Sequence, residues 1–490
     1  MLSLTVHHLE NLVCHLRRLF NMAALFFRSI VNSCSKFANP RLFSSVVCEP
    51  FQPISGRTPK ICSPEEAVRH VKSGDSVYTH GVAGTPTLLI DALADYAKSA
   101  GLTGVKLYHI HLEGPAKWAE PEYCKHIRSQ CLFIAGNLRQ AVNEGRADCL
   151  SIFLSDTPAL FHKQVVKVDV AIVTVSPPDK KGFCTLGTGV DCTRAALQHA
   201  KFIIGISNPN MPRTFGDGCI HMSHFDCLVN SDQPLYNSHQ SKMSAAEEQI
   251  GKLIAENLIE DGSTLQMGIG NIPDAVLLQL KGHKDLGIHT EMFSDGVLAL
   301  IENGALTNSK KRLHPGKLVS SFSLGSKKLY DWMNDNPMLY MGDVTWVNDP
   351  AMIKLNPKVC AINSGIEVDL TGQIVADSIG TRIYSGFGGQ VDFMRGAAVG
   401  VDGKGKPIMA LQSVTKKGES KIVSVPKLGA GVVTTRAHAH YVVTENGIAN
   451  LFGKNMRQRA YEMIRIANVN HRQSLEKAFY DRFKCMPSAD

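Results

Sequence analysis

From Ile61 onward the apolar positions fall into short blocks whose spacing alternates between that of strands and that of helices. Ser63-Pro64-Glu65-Glu66 reads as an N-cap, a proline at the first helical position and an acidic first turn. A strand is expected over residues 76–80, followed by the loop Gly81-Val82-Ala83-Gly84-Thr85-Pro86, a helix over Thr87–Ser99 and a strand over 105–111. Residues 169–175 and 202–207 are unbroken apolar runs of strand length, the pattern of a sheet covered on both faces. Strand, loop, helix and strand in this order imply parallel α/β units.

The pattern recurs in the second half. Gly74-Asp75-Ser76-Val77, with its loop from Gly81 to Pro86, is echoed by Asp261-Gly262-Ser263-Thr264 and the loop Gly268-Ile269-Gly270-Asn271-Ile272-Pro273. In both copies the same spacing separates the first loop glycine from the proline, and a helix follows. Repeats of a solenoid run only ~20–50 residues, so two copies this far apart imply two similar α/β domains with largely parallel sheets. The polar stretch 230–244 marks the boundary and leads into a helix over 245–259, giving domains at 60–232 and 240–485. Further strands are expected at 317–324, 359–363 and 441–444, and helices at 456–467 and 473–483. Hairpins are expected around Thr371-Gly372 and between residues 401–403 and 406–411.

At 490 residues, 44% hydrophobic and 20% charged, the chain has the composition of a globular protein of two or three domains. No apolar run reaches the length of a membrane-spanning helix. Half of the net charge of +8 lies in residues 1–43, where Arg17, Arg18, Arg28, Lys36 and Arg41 face Glu10 alone. That segment has the composition of a mitochondrial transit peptide over residues 1–45, with cutting expected after Phe43, and so predicts the mitochondrial matrix. The charge left elsewhere is too mild to argue for nucleic acid and compatible with an anionic small molecule. Thirteen cysteines without a CxxC pair argue against a disulfide scaffold or zinc site and fit a reducing compartment.

The candidate chemistry centres on Gly287-Ile288-His289-Thr290-Glu291-Met292-Phe293-Ser294-Asp295-Gly296. A carboxylate at the end of a buried strand must be matched by hydrogen bonds or its pKa rises, and it can then serve as a nucleophile. Two glycine loops accompany it. Gly268 to Pro273 sits where a strand gives way to a helix, a place for an anion, although GxGxxP is not a dinucleotide fingerprint. Gly386-Phe387-Gly388-Gly389 can turn successive N–H groups into a cavity, as an oxyanion site requires; a hairpin turn is the alternative. His111-x-Glu113 mirrors His289-x-Glu291 and is read as a remnant of the repeat or a substrate-side wall. His438-Ala439-His440 places two rings on one face of a strand without a third metal ligand nearby.

Five segments together carry a resemblance: Gly268–Val276, His289–Gly296, Val347–Pro350, Ile362–Gln373 and Ser385–Phe393. Their ordered set resembles the acetyl-CoA hydrolase/transferase family, nearest its 4-hydroxybutyrate CoA-transferase branch, from about Ile61 to Arg472. The resemblance implies a catalytic Glu291 that forms a glutamyl-CoA thioester. It implies CoA contacts at Gly268, Ile269, Gly270, Asn271, Ile272, Asn363 and Gly386, with Asn348 beside the oxyanion. It further implies a homodimer, short-chain acyl-CoA and carboxylate substrates, no metal and no tightly bound cofactor, CoA being a substrate. On this placement Gly386→Val is expected to block CoA and leave the fold intact. Asn468-Val469-Asn470-His471 departs from the bacterial pattern. The alternatives are hydrolysis of acetyl-CoA at the same site and a catalytically silent acyl-CoA-binding protein.

Overall fold

The computed structural model describes residues 49–238, 242–268 and 270–490; the expected transit peptide and Ile269 lie outside them. Eight strands build the first sheet: β1 (Lys60–Ile61), β2 (Ser76–Thr79), β3 (Val105–His109), β4 (Ile127–Cys131), β5 (Asp148–Cys149), β6 (Val170–Val175), β7 (Phe202–Ser207) and β8 (Cys227–Asn230). Their spatial order is β1-β8-β7-β6-β2-β3-β4-β5, and every pairing is parallel. β6 is buried at every position, as its unbroken apolar run requires.

Six strands build the second sheet: β9 (Thr264–Met267), β10 (Gly287–Ile288), β11 (Val359–Ser364), β12 (Lys406–Ala410), β13 (Tyr441–Thr444) and β14 (Gly447–Asn450). Its order is β10-β9-β11-β12-β13-β14, parallel except for the closing β13–β14 pair. The run β8-β7-β6-β2-β3 in the first sheet therefore has the connectivity of β13-β12-β11-β9-β10 in the second. The repeat read from two glycine loops is thus a repeat of five strands, with the loop after β2 matching the loop after β9.

Among the longer helices are α1 (Thr87–Ser99), α2 (Ala245–Asn257), α3 (Asn271–Gln279), α4 (Gln390–Ala398), α5 (Met456–Ile466) and α6 (Val469–Phe483). α1 matches its expected bounds. α2 opens on a capping box in which Ser244 Oγ accepts from Glu247 N–H and Glu247 answers to the Ser244 backbone. α6 starts a turn earlier than expected because Asn468 caps it. Among the described residues the largest core cluster runs through both halves, from Tyr78 and Val175 to Leu265, Ile362 and Val443, and residues 50–490 pack as a single body.

Three expectations are corrected. The expected strand over 317–324 is two short strands, Leu318–Ser320 and Phe322–Ser323, paired with different partners. The hairpin at 401–403 and 406–411 does not form: the turn at Gly403, with φ of +67°, joins helix α4 to β12, which pairs in parallel with β11. Finally, His438 and His440 precede β13 rather than lying in it. His438 Nδ1 lies 2.9 Å from Thr435 Oγ1, and the His440 ring rests on Phe452.

Candidate active site

The carboxyl ends of β9, β10 and β11 adjoin. Register pairs Leu265 with Ile288 and Met267 with Ile362, so the chain leaves all three strands at one edge of the sheet. Gly268 leaves β9, Asn363 lies near the end of β11, and Glu291 follows β10 by three residues. This is where open α/β sheets bind ligands.

The Glu291 backbone is fixed tightly. Its carbonyl accepts from Ser321 and Phe322 N–H at 2.9 Å each and from Ser320 Oγ at 3.0 Å. Thr290 Oγ1 lies 3.0 Å from the Met267 carbonyl and 2.9 Å from that of Met292, with one hydrogen to give, and accepts from Met267 N–H at 3.3 Å, tying the Glu291 segment to the end of β9. His289 is buried and held neutral, its pKa pushed down to about 3 by burial and by Lys311. Its Nε2 lies 2.7 Å from the carbonyl of Val347, the residue before Asn348, and its Nδ1 faces the Asn356 amide. His289 is thus a strut between the Glu291 segment and Asn348.

The Glu291 side chain keeps a partly open surface but lies deep among protein atoms. Asn348 Nδ2 donates to its Oε2 at 2.8 Å, and the Gly389 N–H also favours its ionised form. Burial outweighs both and, with the nearby Asp392 carboxylate, raises its pKa to about 7. Asp392, on the first turn of α4, is likewise pushed up to about 6 by burial. Asn348 is fully buried, and its Oδ1 has no partner among the described residues.

The Gly386–Gly389 loop lies over this carboxylate. Instead of turning a hairpin it runs into α4, a helix the sequence pattern hid because Gly396 reads as a breaker. A Cβ at Gly396 would stand 2.5 Å from Ile353 Cγ2, so bare backbone is required there. At Gly389 a Cβ would overlap Glu291 Oε2 and Asn348 Nδ2. The space beside Gly386 is already taken: a Cβ there would stand 3.1 Å from Phe133 Cα. Gly386→Val would therefore require Phe133 to give way by a few tenths of an ångström.

The other expected contacts divide. Gly270, at φ of +112°, opens onto free space just ahead of α3, and Ile272 is buried. Asn271 Nδ2 donates to Glu247 Oε2 at 3.0 Å, and Asn363 Nδ2 to Gln266 Oε1 at 2.9 Å, so both side chains have partners in the fold. The His111–Glu113 pair, 2.8 Å apart, lines a cavity of about 1120 Å³ with Asp91, Asn137 and Tyr236. The cavity lies at the carboxyl ends of the first sheet's strands and takes in the first copy of the glycine loop. Phe133 stands between this cavity and the Gly386–Gly389 loop, its ring stacked on His111 on one side and close to Gly386 on the other.

Leu154 N–H donates to the Gly388 carbonyl at 3.0 Å, and Ser155 Oγ donates to Asp392 at 2.8 Å; sequence reasoning missed both, with Phe133 and Asp392. Asp392 stood inside a motif already singled out; the other three carry no local signal.

The profile of the acetyl-CoA hydrolase/transferase N-terminal domain matches residues 56–236, and that of the C-terminal domain matches residues 325–479. The chain belongs to the acetyl-CoA hydrolase/transferase family. It is 56% identical over 441 residues to the succinyl-CoA:acetate/propanoyl-CoA:succinate CoA transferase of Fasciola hepatica, across 90% of this chain and 92% of that one. It is 44% identical to the 4-hydroxybutyrate coenzyme A transferase of Clostridium kluyveri, across 86% of this chain and 98% of the relative. Among solved structures, RipA from Yersinia pestis superposes with a TM-score of 0.82 at 32% identity, covering 86% of this chain and 97% of RipA. The family's relatives include transferases of CoA between acyl thioesters and carboxylates.

Proposed function

We propose that this protein moves CoA between a short-chain acyl-CoA and a free carboxylate, with Glu291 as the nucleophile. The observation that carries the reading is a carboxylate with a pKa raised to about 7, hydrogen-bonded by Asn348 beneath a loop of three glycines. Glu291 attacks the thioester carbonyl, forming a mixed anhydride and releasing CoA thiolate. The thiolate attacks the Glu291 carbonyl, frees the first carboxylate and leaves a glutamyl-CoA thioester. A second carboxylate runs the two steps in reverse. Thioester energy is conserved throughout, so no nucleotide hydrolysis is needed. Asn348 Nδ2 and the Gly389 N–H are the donors nearest the oxygens on which charge changes, and one such donor contributes roughly 3–4 kcal/mol.

CoA enters this reading along Gly268, Ile269, Gly270, Asn271 and Ile272, past Asn363 to Gly386; the adjoining strand ends β9 and β11 support it. By likeness to the 4-hydroxybutyrate and butyryl-CoA:acetate transferases among its relatives, acetyl, butyryl and 4-hydroxybutyryl groups are the proposed acyl groups, with succinyl, named for the Fasciola hepatica relative, as the competing one. Hydrolysis is the second reading; it follows if water reaches the anhydride or the enzyme thioester. The arginine-bearing, acid-poor segment 1–45 supports delivery to the mitochondrial matrix. The test is an exchange assay: butyryl-CoA with acetate should yield acetyl-CoA and butyrate in equal amounts. Free CoA appearing at the rate of butyryl-CoA loss, with no acetyl-CoA, would make the protein a hydrolase.

A further inference from the structure

We propose that Phe133 is a specificity-determining residue that keeps water from Glu291 while that residue carries CoA, so that a carboxylate rather than water is the acceptor. This rests on the reading of Glu291 as nucleophile and goes beyond it to the choice between transfer and hydrolysis.

The strand before Phe133 sets the place of its ring. Buried and half-buried positions alternate along β4. At its carboxyl end the Cys131 carbonyl accepts from Leu150 N–H, and Leu132 N–H donates to the His109 carbonyl, each at 2.9 Å. Leu132 is buried, so alternation turns the half-buried Phe133 to the opposite face, where it meets the Gly386–Gly389 loop. A Cβ at Gly386 would stand 3.1 Å from Phe133 Cδ2. One at Gly388 would stand 3.5 Å from Phe133 Cε2 and 3.8 Å from Glu291 Oε1. The edge of the ring and the carboxylate therefore meet at one point of the loop, and Oε1 is the oxygen that Asn348 does not hold.

The ring also stacks on His111, with centroids 6.1 Å apart and planes at 23°. His111 lines the cavity of about 1120 Å³, together with Asp91, Glu113 and Asn137. Asp91 Oδ1 and Asn137 Oδ1 are buried without a hydrogen-bond partner among the described residues. A polar cavity of this size takes up water, which satisfies such atoms. The His111–Glu113 pair, 2.8 Å apart, is able to take a proton from that water. Phe133 thus stands between a wet space with a base in it and the carboxyl group of Glu291. To that group it presents an apolar edge, which offers water no hydrogen bond.

Water attacking the enzyme thioester would form a C–O bond at the Glu291 carbonyl carbon and break the C–S bond. CoA would leave as the thiolate, both water protons would be released, and the Glu291 carboxylate would be restored. In transfer an oxygen of acetate makes the same attack, and the thiolate then takes the acetyl group from the anhydride. Removing the ring opens the first route and leaves the donors of the second, Asn348 Nδ2 and the Gly389 N–H, in place.

The experiment is the ratio of free CoA to acetyl-CoA formed from butyryl-CoA and acetate, read by chromatography, with Glu291→Gln as reference. Phe133→Ala should raise the ratio roughly tenfold or more. Phe133→Val, which keeps part of the space filled, should raise it about threefold or more and serves if Phe133→Ala fails to fold. Both products come from the same folded protein, so a loss of fold lowers both and leaves their ratio alone. A wild-type ratio in the variants that fold, beside an inactive Glu291→Gln, would overturn the role of Phe133 alone. A wild-type protein that releases free CoA and forms no acetyl-CoA, or an active Glu291→Gln, would overturn the transferase reading, and this proposal with it.

Discussion

At the scale of single residues, the site is a contest over the charge of one carboxylate. Burial and the Asp392 carboxylate disfavour ionised Glu291, whereas Asn348 and the Gly389 N–H favour it. The balance lies at about 7, well above an ordinary glutamate. Attack requires the carboxylate, so protonation removes activity. kcat/KM should be level above pH 7 and fall about tenfold per unit below it. A limb near pH 4.5, measured in buffers that leave the fold intact, would place Glu291 in water instead. Gly389 gives a second prediction. Because a Cβ there overlaps both Glu291 and Asn348, Gly389→Ala should lower the melting temperature and, in protein still folded at the assay temperature, lower kcat roughly 100-fold. A variant as active as wild type would mean that the loop stands away from the nucleophile.

At the scale of elements, the site depends on close approach between helices and loops. α3 carries the Gly268–Ile272 loop at its start and packs on α2 through Gly251, where a Cβ would stand 2.6 Å from the Ala275 carbonyl carbon. Gly251→Val should therefore destabilise the fold by about 1–3 kcal/mol and weaken CoA binding, both read from thermal melts with and without CoA. Equal shifts in melting temperature on CoA addition in the two proteins would sever that link between packing and binding. This scale also marks where sequence was informative. α1, β7 and the Ser63 cap follow from local pattern, since period and cap chemistry are properties of neighbouring residues. α4 did not, because Gly396 is there to admit Ile353, which is distant in sequence. The false hairpin at residue 403 had the right turn residue, but its strand pairs in parallel, and turn chemistry alone does not report the direction of the partner.

At the scale of the whole molecule, the loop over Glu291 belongs to neither half alone. It is entered from Tyr384, whose ring stacks under Arg139 at 3.6 Å and whose carbonyl accepts from Arg139 Nε at 2.7 Å. It leaves past Gly388 and Asp392, which Leu154 and Ser155 hold from the first half. Ser155 and Asp392 are 237 residues apart, and no period or motif in one chain joins them. Glu291, Asn348 and the glycines were legible as linear motifs; the brace that aims them was not. Arg139→Ala should loosen the loop's entry, lowering kcat several-fold with little change in melting temperature. Unchanged kcat would show that the downstream brace suffices.

The most direct test of Glu291 as the nucleophile is the intact mass of the protein after mixing with butyryl-CoA, beside Glu291→Gln. A nucleophilic Glu291 predicts a CoA-sized increase on the wild-type protein, absent from Glu291→Gln and discharged by acetate. No adduct on the wild type, or an equal adduct on Glu291→Gln, would contradict a glutamyl thioester at residue 291.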